Sequence, residues 1–350
     1  MSYTTINKSS DYFNTKLFTG TGSSNALTGV GFQPDWVWIK DRQDTHNHNL
    51  FDAVRGVTKR IYSDTSDAET TNAESLKSFD SDGFTLGTQT NVNQSGHTNV
   101  AWNWKAGGSG SANTDGTINS TVSVNTTAGF SIVKYTGTGA NATVGHGLGA
   151  VPKMIIIKET DAIANWIVYH TGVGNGGSLQ LNTTIGTDTD STFWNSTTPT
   201  SSVFTLGSNG NSNGSSDNYI AYCFAEKTGY SKFGKYTGNG NADGTFVYTG
   251  FKPAFLLLKK NSASGQQWYI YDDKRDGKNQ GDGASGCNRS LRPNTTSAEE
   301  QASGYPMDIL SNGFKWRGSS GEQNGSGDTY IYMAIGQSIV GSNNVPCTAR

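Results

Sequence analysis

Two pairs of tryptophans, Trp36 with Trp38 and Trp102 with Trp104, stand two residues apart in runs that read as strands. On a strand, residues i and i+2 share a face, so each pair could offer two ring faces to the apolar C–H groups of a sugar. Comparison within the chain points the other way. At a fixed distance from a recurring proline, Trp36 corresponds to Met154 and Phe255, and Trp38 to Ile156 and Leu257. Counted from a recurring asparagine, Trp102 corresponds to Tyr222 and Met333, and Trp104 to Phe224 and Ile335. Positions that accept any bulky apolar side chain fill volume in a core, so the four indoles are expected inside.

Other residue types invite chemistry at first sight. Asp52 with Arg55 and Asp272 with Arg275 share the spacing D-x-x-R behind an aromatic residue, where a middle copy has His170 and Val173. This reads as an ion pair bracing a loop, contributing about 0–1 kcal/mol if exposed. His46 and His48 flank Asn47 and could turn two imidazoles toward a metal, but no third ligand lies nearby, and a solvated loop is expected. Asp64, Asp67, Asp80 and Asp82 carry the oxygens Ca²⁺ takes, yet aspartate before glycine, as in SDGF, is ordinary turn chemistry. The glutamates (Glu69, Glu74, Glu159, Glu226, Glu299, Glu300, Glu322) fall in polar segments or at strand ends, and none forms an alternating acid pair on an apolar strand as a glycosidase requires. No G-x-S-x-G elbow is expected between a strand and a helix, and no Cys/His arrangement recurs. Cys223, Cys287 and Cys347 are odd in number and far apart, which argues against a disulfide framework or zinc site. The expectation is a non-enzymatic protein without metal or cofactor, its ligand-binding residues unknown.

The elements that must position these residues recur three times. LFTGTG (Leu17 to Gly22), KYTGTG (Lys134 to Gly139) and KYTGNG (Lys235 to Gly240) each end a strand. Each is followed by a proline (Pro34, Pro152, Pro253), and six residues later by a lysine (Lys40, Lys158, Lys259). An aromatic strand comes next (NLFD, NWIVYH, QWYIYD), then GFTLG, VFTLG or GFKWR, an asparagine (Asn93, Asn213, Asn324) and a closing strand (TNVAWNW, DNYIAYCF, DTYIYMAI). The TGxG glycines read as turn residues with positive φ. A phosphate cradle would need a helix directly after them, and NATVGHG or NADGTFV has no helical periodicity. The P-x-φ-φ-φ-φ-K runs of the second and third copies are apolar on both faces, as in a central strand packed on two sides.

Composition agrees. Gly supplies 45 residues, charged residues only 15% and aromatics 11%, a balance of turn formers and short β-prone runs rather than of long helices. The fold class expected is all-β, three tandem β-sandwich (jelly-roll) repeats of roughly 100 residues each. The expected organisation is an N-terminal arm (1–10), repeat 1 (11–106), a Gly/Ser/Thr linker (107–127), repeat 2 (128–229), repeat 3 (230–337) and a C-terminal tail (338–350). The long linker implies a freer first repeat, and the short EKTGYS junction a rigid second–third pair. A net charge of −2 gives no electrostatic footprint for nucleic acid or an anionic membrane. No apolar run reaches transmembrane length, and MSYTTINKSS lacks a secretory pattern; the three scattered cysteines fit assembly in a reducing cytoplasm.

DYFNTKLFTGTG, GFQPDWVWIKDR, FDAVRG, SFDSDGFTLG and AWNWKAG, with TAGFSIVKYTGTGANATVGHGLGAVPKMIIIK, NYIAYCFAEKTGYSKFGKYTGNG and FVYTGFKPAFLLLKK further on, span nearly the whole chain. They resemble a family of repeated β-rich modules in structural proteins of marine bacteriophages. The resemblance implies a lectin-like sandwich and a virion component, a tail fibre or appendage protein exposed on the particle. It implies other virion proteins as partners, homo-oligomers within the particle and contact with a host surface glycan or outer-membrane receptor. The alternative it leaves is architectural: capsid decoration or cement, fibre shaft or adaptor. It supplies no catalytic residues. GQSIVGSNNVPCTAR departs from the aromatic-rich ending of such modules.

Overall fold

Strand alternation and glycine turns set the local structure, and pairing then repeats one plan three times. A computed structural model describes residues 4–276, 287–301 and 306–338. Cys347 and residues 339–350 of the expected tail lie outside them. In the first unit the main sheet runs Phe13–Thr19, Thr98–Trp104, Trp36–Asp41, Asn49–Asp52, Lys59–Tyr62 and Thr70–Thr71, with Thr98–Trp104 lying between the first strand and Trp36–Asp41. The second unit repeats the order with Phe130–Thr136, Asn218–Ala225, Pro152–Glu159, Ile167–His170 and Leu179–Gln180. The third does so with Ser231–Thr237, Thr329–Ser338, Phe251–Lys260 and Trp268–Asp272. Registers correspond: Phe13 faces Trp104, Phe130 faces Phe224, and Ser231 faces Ile335. The expected all-β class holds, and the pairings between these strands are antiparallel.

A smaller sheet accompanies each main one: Asn25–Leu27 with Gly83–Leu86 and Leu76–Asp80, Ala142–Gly145 with Val203–Leu206, and Phe246–Tyr248 with Gly313–Trp316 and Met307–Leu310. The P-x-φ-φ-φ-φ-K strand is buried on both faces because its two faces serve two cores. Val37 and Ile39, Ile155 and Ile157, and Leu256 and Leu258 pack toward their own small sheet. The alternate residues Trp36 and Trp38, Met154 and Ile156, and Phe255 and Leu257 all belong to one cluster shared by the three units. Area removed from water on both faces lets each of these strands stabilise two cores at once.

Polar contacts close the arrangement into a ring. Glu69 N donates to Thr160 O (2.9 Å), Thr187 N to Asn261 O (3.1 Å) and Glu299 N to Arg42 O (2.9 Å), linking unit one to two, two to three and three to one. A second ring runs nearer the centre: Tyr222 Oη donates to Asp52 (2.8 Å), Trp102 Nε1 to Asp272 (3.0 Å) and His170 Nε2 to Tyr332 O (3.0 Å).

Two expectations are corrected here. Segment 107–127 is not a linker: Ser111–Asn113 and Ser120–Asn125 are strands that extend the second main sheet by pairing outward from Phe130–Thr136. Its small polar residues concealed the alternation that buries Val122 in the second unit's core beside Ile118. The freer first unit has no counterpart in the contacts either, since that unit takes part in both rings on both sides.

Candidate functional site

The tryptophan pairs are closed to ligands. Trp36, Trp38, Trp102 and Trp104 are at most 2% exposed. Trp36 stacks on Tyr222 of the second unit with centroids 4.3 Å apart and planes 18° from parallel, and lies 4.3 Å from Trp104. Burial of these rings at the junction of three sheets fills the volume that smaller residues leave in the sister units.

The TGxG loops are clamped from inside. Asn93 Oδ1 accepts from Thr21 N (2.9 Å), while its Nδ2 donates to Ser23 O and Gly87 O, both at 2.6 Å. Asn213 repeats this with Thr138 N, Ala140 O and Gly207 O, and Asn324 with Asn239 N, Asn241 O and Gly318 O. The strand-ending glycines have no room for a side chain: a Cβ on Gly20, Gly137 or Gly238 would lie 2.1, 2.2 or 2.3 Å from a carbonyl oxygen of the facing loop. The second glycines, Gly22, Gly139 and Gly240, sit at φ of +66°, +71° and +64°, the left-handed region that favours glycine.

The D-x-x-R residues form the expected ion pairs, and both pairs are buried. Arg55 Nε meets Asp52 Oδ2 at 2.5 Å with side chains 3% and 0% exposed, and Arg275 meets Asp272 at 2.5 Å with both fully covered. Each arginine also bonds a carbonyl of its own unit, Leu50 O or Ile270 O, and Arg275 lies 5.5 Å over the ring of Trp102. Neighbouring units complete these sites through Tyr222 and Trp102, an insertion no local spacing discloses. In the second unit His170 does the same work without charge: burial pushes its imidazole down to about 4, and Gly172 N donates to its Nδ1 (2.9 Å).

Glu299, read from sequence as a loop residue, is the centre of an inter-unit network. Arg42 donates to both its oxygens at 2.8 Å, Arg275 to one at 3.1 Å and Arg289 to the other at 3.0 Å. Burial alone would raise this carboxyl, but the three guanidiniums outweigh it and hold it down to about 2. Glu69, its counterpart in the first unit, has Arg55 and Lys59 at 3.1 Å each. The recurring lysines are buried as well. Lys40 donates to Asp41 O and Asp44 O, Lys158 to Glu159 O and Ser66 O, and Lys259 to Gln266 O.

His46 and His48 do not act together. His48 is buried and accepts from Trp38 Nε1 at 2.9 Å, and burial, with Lys40 and Arg275 nearby, pushes its imidazole well below the ordinary value. His46 instead meets His97 across Asp41, whose Oδ2 lies 3.2 and 2.8 Å from the two Nδ1 atoms. Among the described residues no three metal-ligating side chains converge. Asp82 accepts from Gly29 N and Gly31 N, Asp80 from Thr85, and Asp64 from His48 N and Asn47; Asp67 N donates to Thr65. Glu74 pairs with Lys77 and Thr88, Glu226 accepts from Phe233 N, and Glu300 pairs with Arg292. Glu322 lies in the loop that carries Asn324, its carboxyl raised by burial. Cys223 and Cys287 are buried free thiols.

Among the described residues, clefts reach the surface at two places. One, about 180 Å³, lies between the first and second units among Arg55, Lys59, Glu69, Lys134, Thr160 and Asp161. The other, about 120 Å³, lies where Ser9 and Asn14 approach Lys252, Asp273 and Gln337. Comparison with curated proteins finds none that matches. Residues 8–338 match the family model described as "Domain of unknown function (DUF7483)", and the chain belongs to that family.

Proposed function

We propose that this chain is a non-enzymatic bacteriophage virion protein, displayed on a tail appendage where it contacts the host surface, with each unit a lectin-like sandwich. One observation carries the non-enzymatic part of this reading: the side chains best suited to chemistry are committed to internal contacts. The buried aspartate–arginine pairs, Glu299 and the three lysines bind carbonyls or each other between and within units. A body joined around one shared core resists local opening and hence proteolysis, as an exposed particle component must, while polar loops supply hydrogen bonds to glycans. The virion setting rests on the resemblance carried by the repeated motifs.

The architectural alternative gives the N-terminal arm to a neighbouring protein. Part of that arm is engaged within the chain: Ile6 is 2% exposed, and Ser9 N donates to Gln337 Oε1 at 2.8 Å. Mass spectrometry of purified particles from a phage encoding the chain tests the proposal, with antibody labelling to place it. Absence from the particle ends it, and labelling of the capsid face rather than the tail transfers the chain to the architectural role.

A further inference from the structure

We propose that the outer edge of the third unit's main sheet, along Phe233–Thr237, is a docking site for an extended segment of a partner polypeptide that carries a carboxylate opposite Lys235. It stands whether or not the chain is a virion component.

The second unit supplies the template. There Ser120–Asn125 pairs along the outer edge of Phe130–Thr136, placing Thr121 opposite Lys134, Val122 opposite Val133 and Ser123 opposite Ile132. Register makes Ser231–Thr237 the counterpart of Phe130–Thr136, because Phe130 faces Phe224 where Ser231 faces Ile335. Lys235 thus stands for Lys134, and Phe233 for Ile132. The third unit begins the added strand in the same way, since Lys227 bridges Ser231 as Asn125 pairs with Phe130. Upstream of Lys227, however, the chain belongs to Asn218–Ala225 of the second unit, so Ser231–Thr237 ends its sheet without the neighbour its counterpart has.

A row of backbone groups is left along this edge. The N–H and C=O of one residue point to one side of a strand, and those of its neighbours to the other. Phe233 N donates to Glu226 Oε2 at 3.4 Å, and Thr237 O accepts from Thr245 Oγ1 at 2.9 Å, so Phe233, Lys235 and Thr237 present theirs outward. Side chains thus hold the two ends of the row, while the N–H and C=O of Lys235 between them meet no partner among the described residues. Beside the row, Phe246 and Tyr248 are 43% and 54% exposed, on the strand that corresponds to Ala142–Gly145. In the second unit the segment leading into Ser120–Asn125 covers that strand: Ile118 N donates to Thr143 O and Thr117 N to Thr143 Oγ1, both at 2.9 Å. The first unit's matching edge is already lined by its own chain. Asn14 Nδ2 donates to Val30 O at 2.9 Å, and the Gly29–Gly31 turn lies against Lys16 and Ser10.

An open edge takes up an extended strand through its main-chain groups, and charge selects which strand. The seven-residue edge strands that a second copy would bring, Phe13–Thr19 and Ser231–Thr237, carry Lys16, Lys232 and Lys235, and like charges placed opposite one another oppose pairing. Lys235 is exposed and forms no ion pair among the described residues. A carboxylate on the incoming strand, at the place Thr121 takes in the second unit, completes it, and the incoming carbonyl takes Phe233 N from Glu226.

The test titrates the full chain with end-blocked peptides of its own residues 117–127, unaltered and with Thr121→Glu or Thr121→Lys, and follows amide chemical shifts. Saturable binding on the order of millimolar is expected, with shifts centred on Phe233–Thr237 and Phe246–Tyr248. The Thr121→Glu peptide should bind about two- to fivefold more tightly than the unaltered one. Lys235→Pro in the chain, which removes an outward N–H and no ladder bond, is expected to keep the fold and lose binding. Lys235→Glu is expected to reverse the order, so that the Thr121→Lys peptide binds best. Shifts that fail to saturate overturn the proposal, as do shifts centred on Phe130–Thr136, where the peptide exchanges with the chain's own strand. So does a peptide order unchanged in Lys235→Glu. Self-association in sedimentation that Lys235→Pro abolishes gives the edge to a second copy and overturns the partner.

Discussion

Replacing Lys259 by methionine is expected to flatten the protein's stability profile between pH 7 and 9.5. Lys259 is 1% exposed, donates to Gln266 O and lies 6.0 Å from the ring centre of Trp268. Burial pushes its ammonium from the ordinary 10.5 down to about 7. Lys40 and Lys158, with carboxylates near them, are pushed down less, to about 8. A lysine whose pKa is lower in the folded chain is protonated in the unfolded chain and neutral in the folded one between the two values. The unfolded state therefore binds more protons in that window, and stability rises with pH from about 7 toward 10.5, at a slope of up to about 1.4 kcal/mol per pH unit. For Lys259 this integrates to about 3 kcal/mol between pH 7 and 9.5. Lys40 and Lys158 act with the same sign but are present in both proteins and cancel in the difference. Buried tyrosines such as Tyr222 and Tyr236, raised well above their ordinary value by burial, lower stability only as pH passes about 10, above the range used. The lost hydrogen bond to Gln266 O is a constant offset of about 1–3 kcal/mol and leaves the slope untouched. Urea unfolding of wild type and Lys259→Met at half-unit pH intervals reads the difference directly. Parallel profiles would show that Lys259 keeps its proton in the folded chain and would refute the reasoning.

Other perturbations probe other links. Asn324→Ala leaves the Asn241 and Gly318 carbonyls and the Asn239 N–H without their partner; at about 1–3 kcal/mol per orphaned group, a loss of about 3–5 kcal/mol is expected by chemical denaturation, and under 1 kcal/mol would contradict the clamp. Tyr222→Phe removes the hydroxyl that reaches Asp52 from the second unit while leaving Arg55 in place, so a loss of about 1–2 kcal/mol is expected; coupling to Arg55→Lys in a double-mutant cycle checks that the effect passes through that pair. Glu299 contributes stability that is present above its ordinary 4.5 and lost as pH falls toward about 2. Arg42→Ala should therefore shrink the loss measured between pH 5 and 2.5, and an unchanged acid limb would place the effect elsewhere.

The sequence by itself determined what depends on neighbours a few residues away. Alternation of Ile, Val and aromatic residues made strands, the TGxG glycines made turns, and spacing from Pro34, Pro152 and Pro253 revealed three copies of one plan. It also put the four indoles inside, because Met154, Phe255, Tyr222 and Ile335 in the corresponding positions share only bulk. It misjudged 107–127, where polar composition outweighed a short alternation around Val122. It gave the Asp52–Arg55 ion pair but not its burial, because the groups that bury it come from elsewhere in the chain. Tertiary structure alone decided that Tyr222 closes on Asp52 and Trp102 on Asp272, that His97 rather than His48 joins His46, and that Glu299 gathers Arg42, Arg275 and Arg289. These partners lie up to 257 positions apart in the chain, and no local period encodes them. They are set by three sheets seeking one place to bury their second apolar faces, and the polar rings form where that packing brings strand ends together.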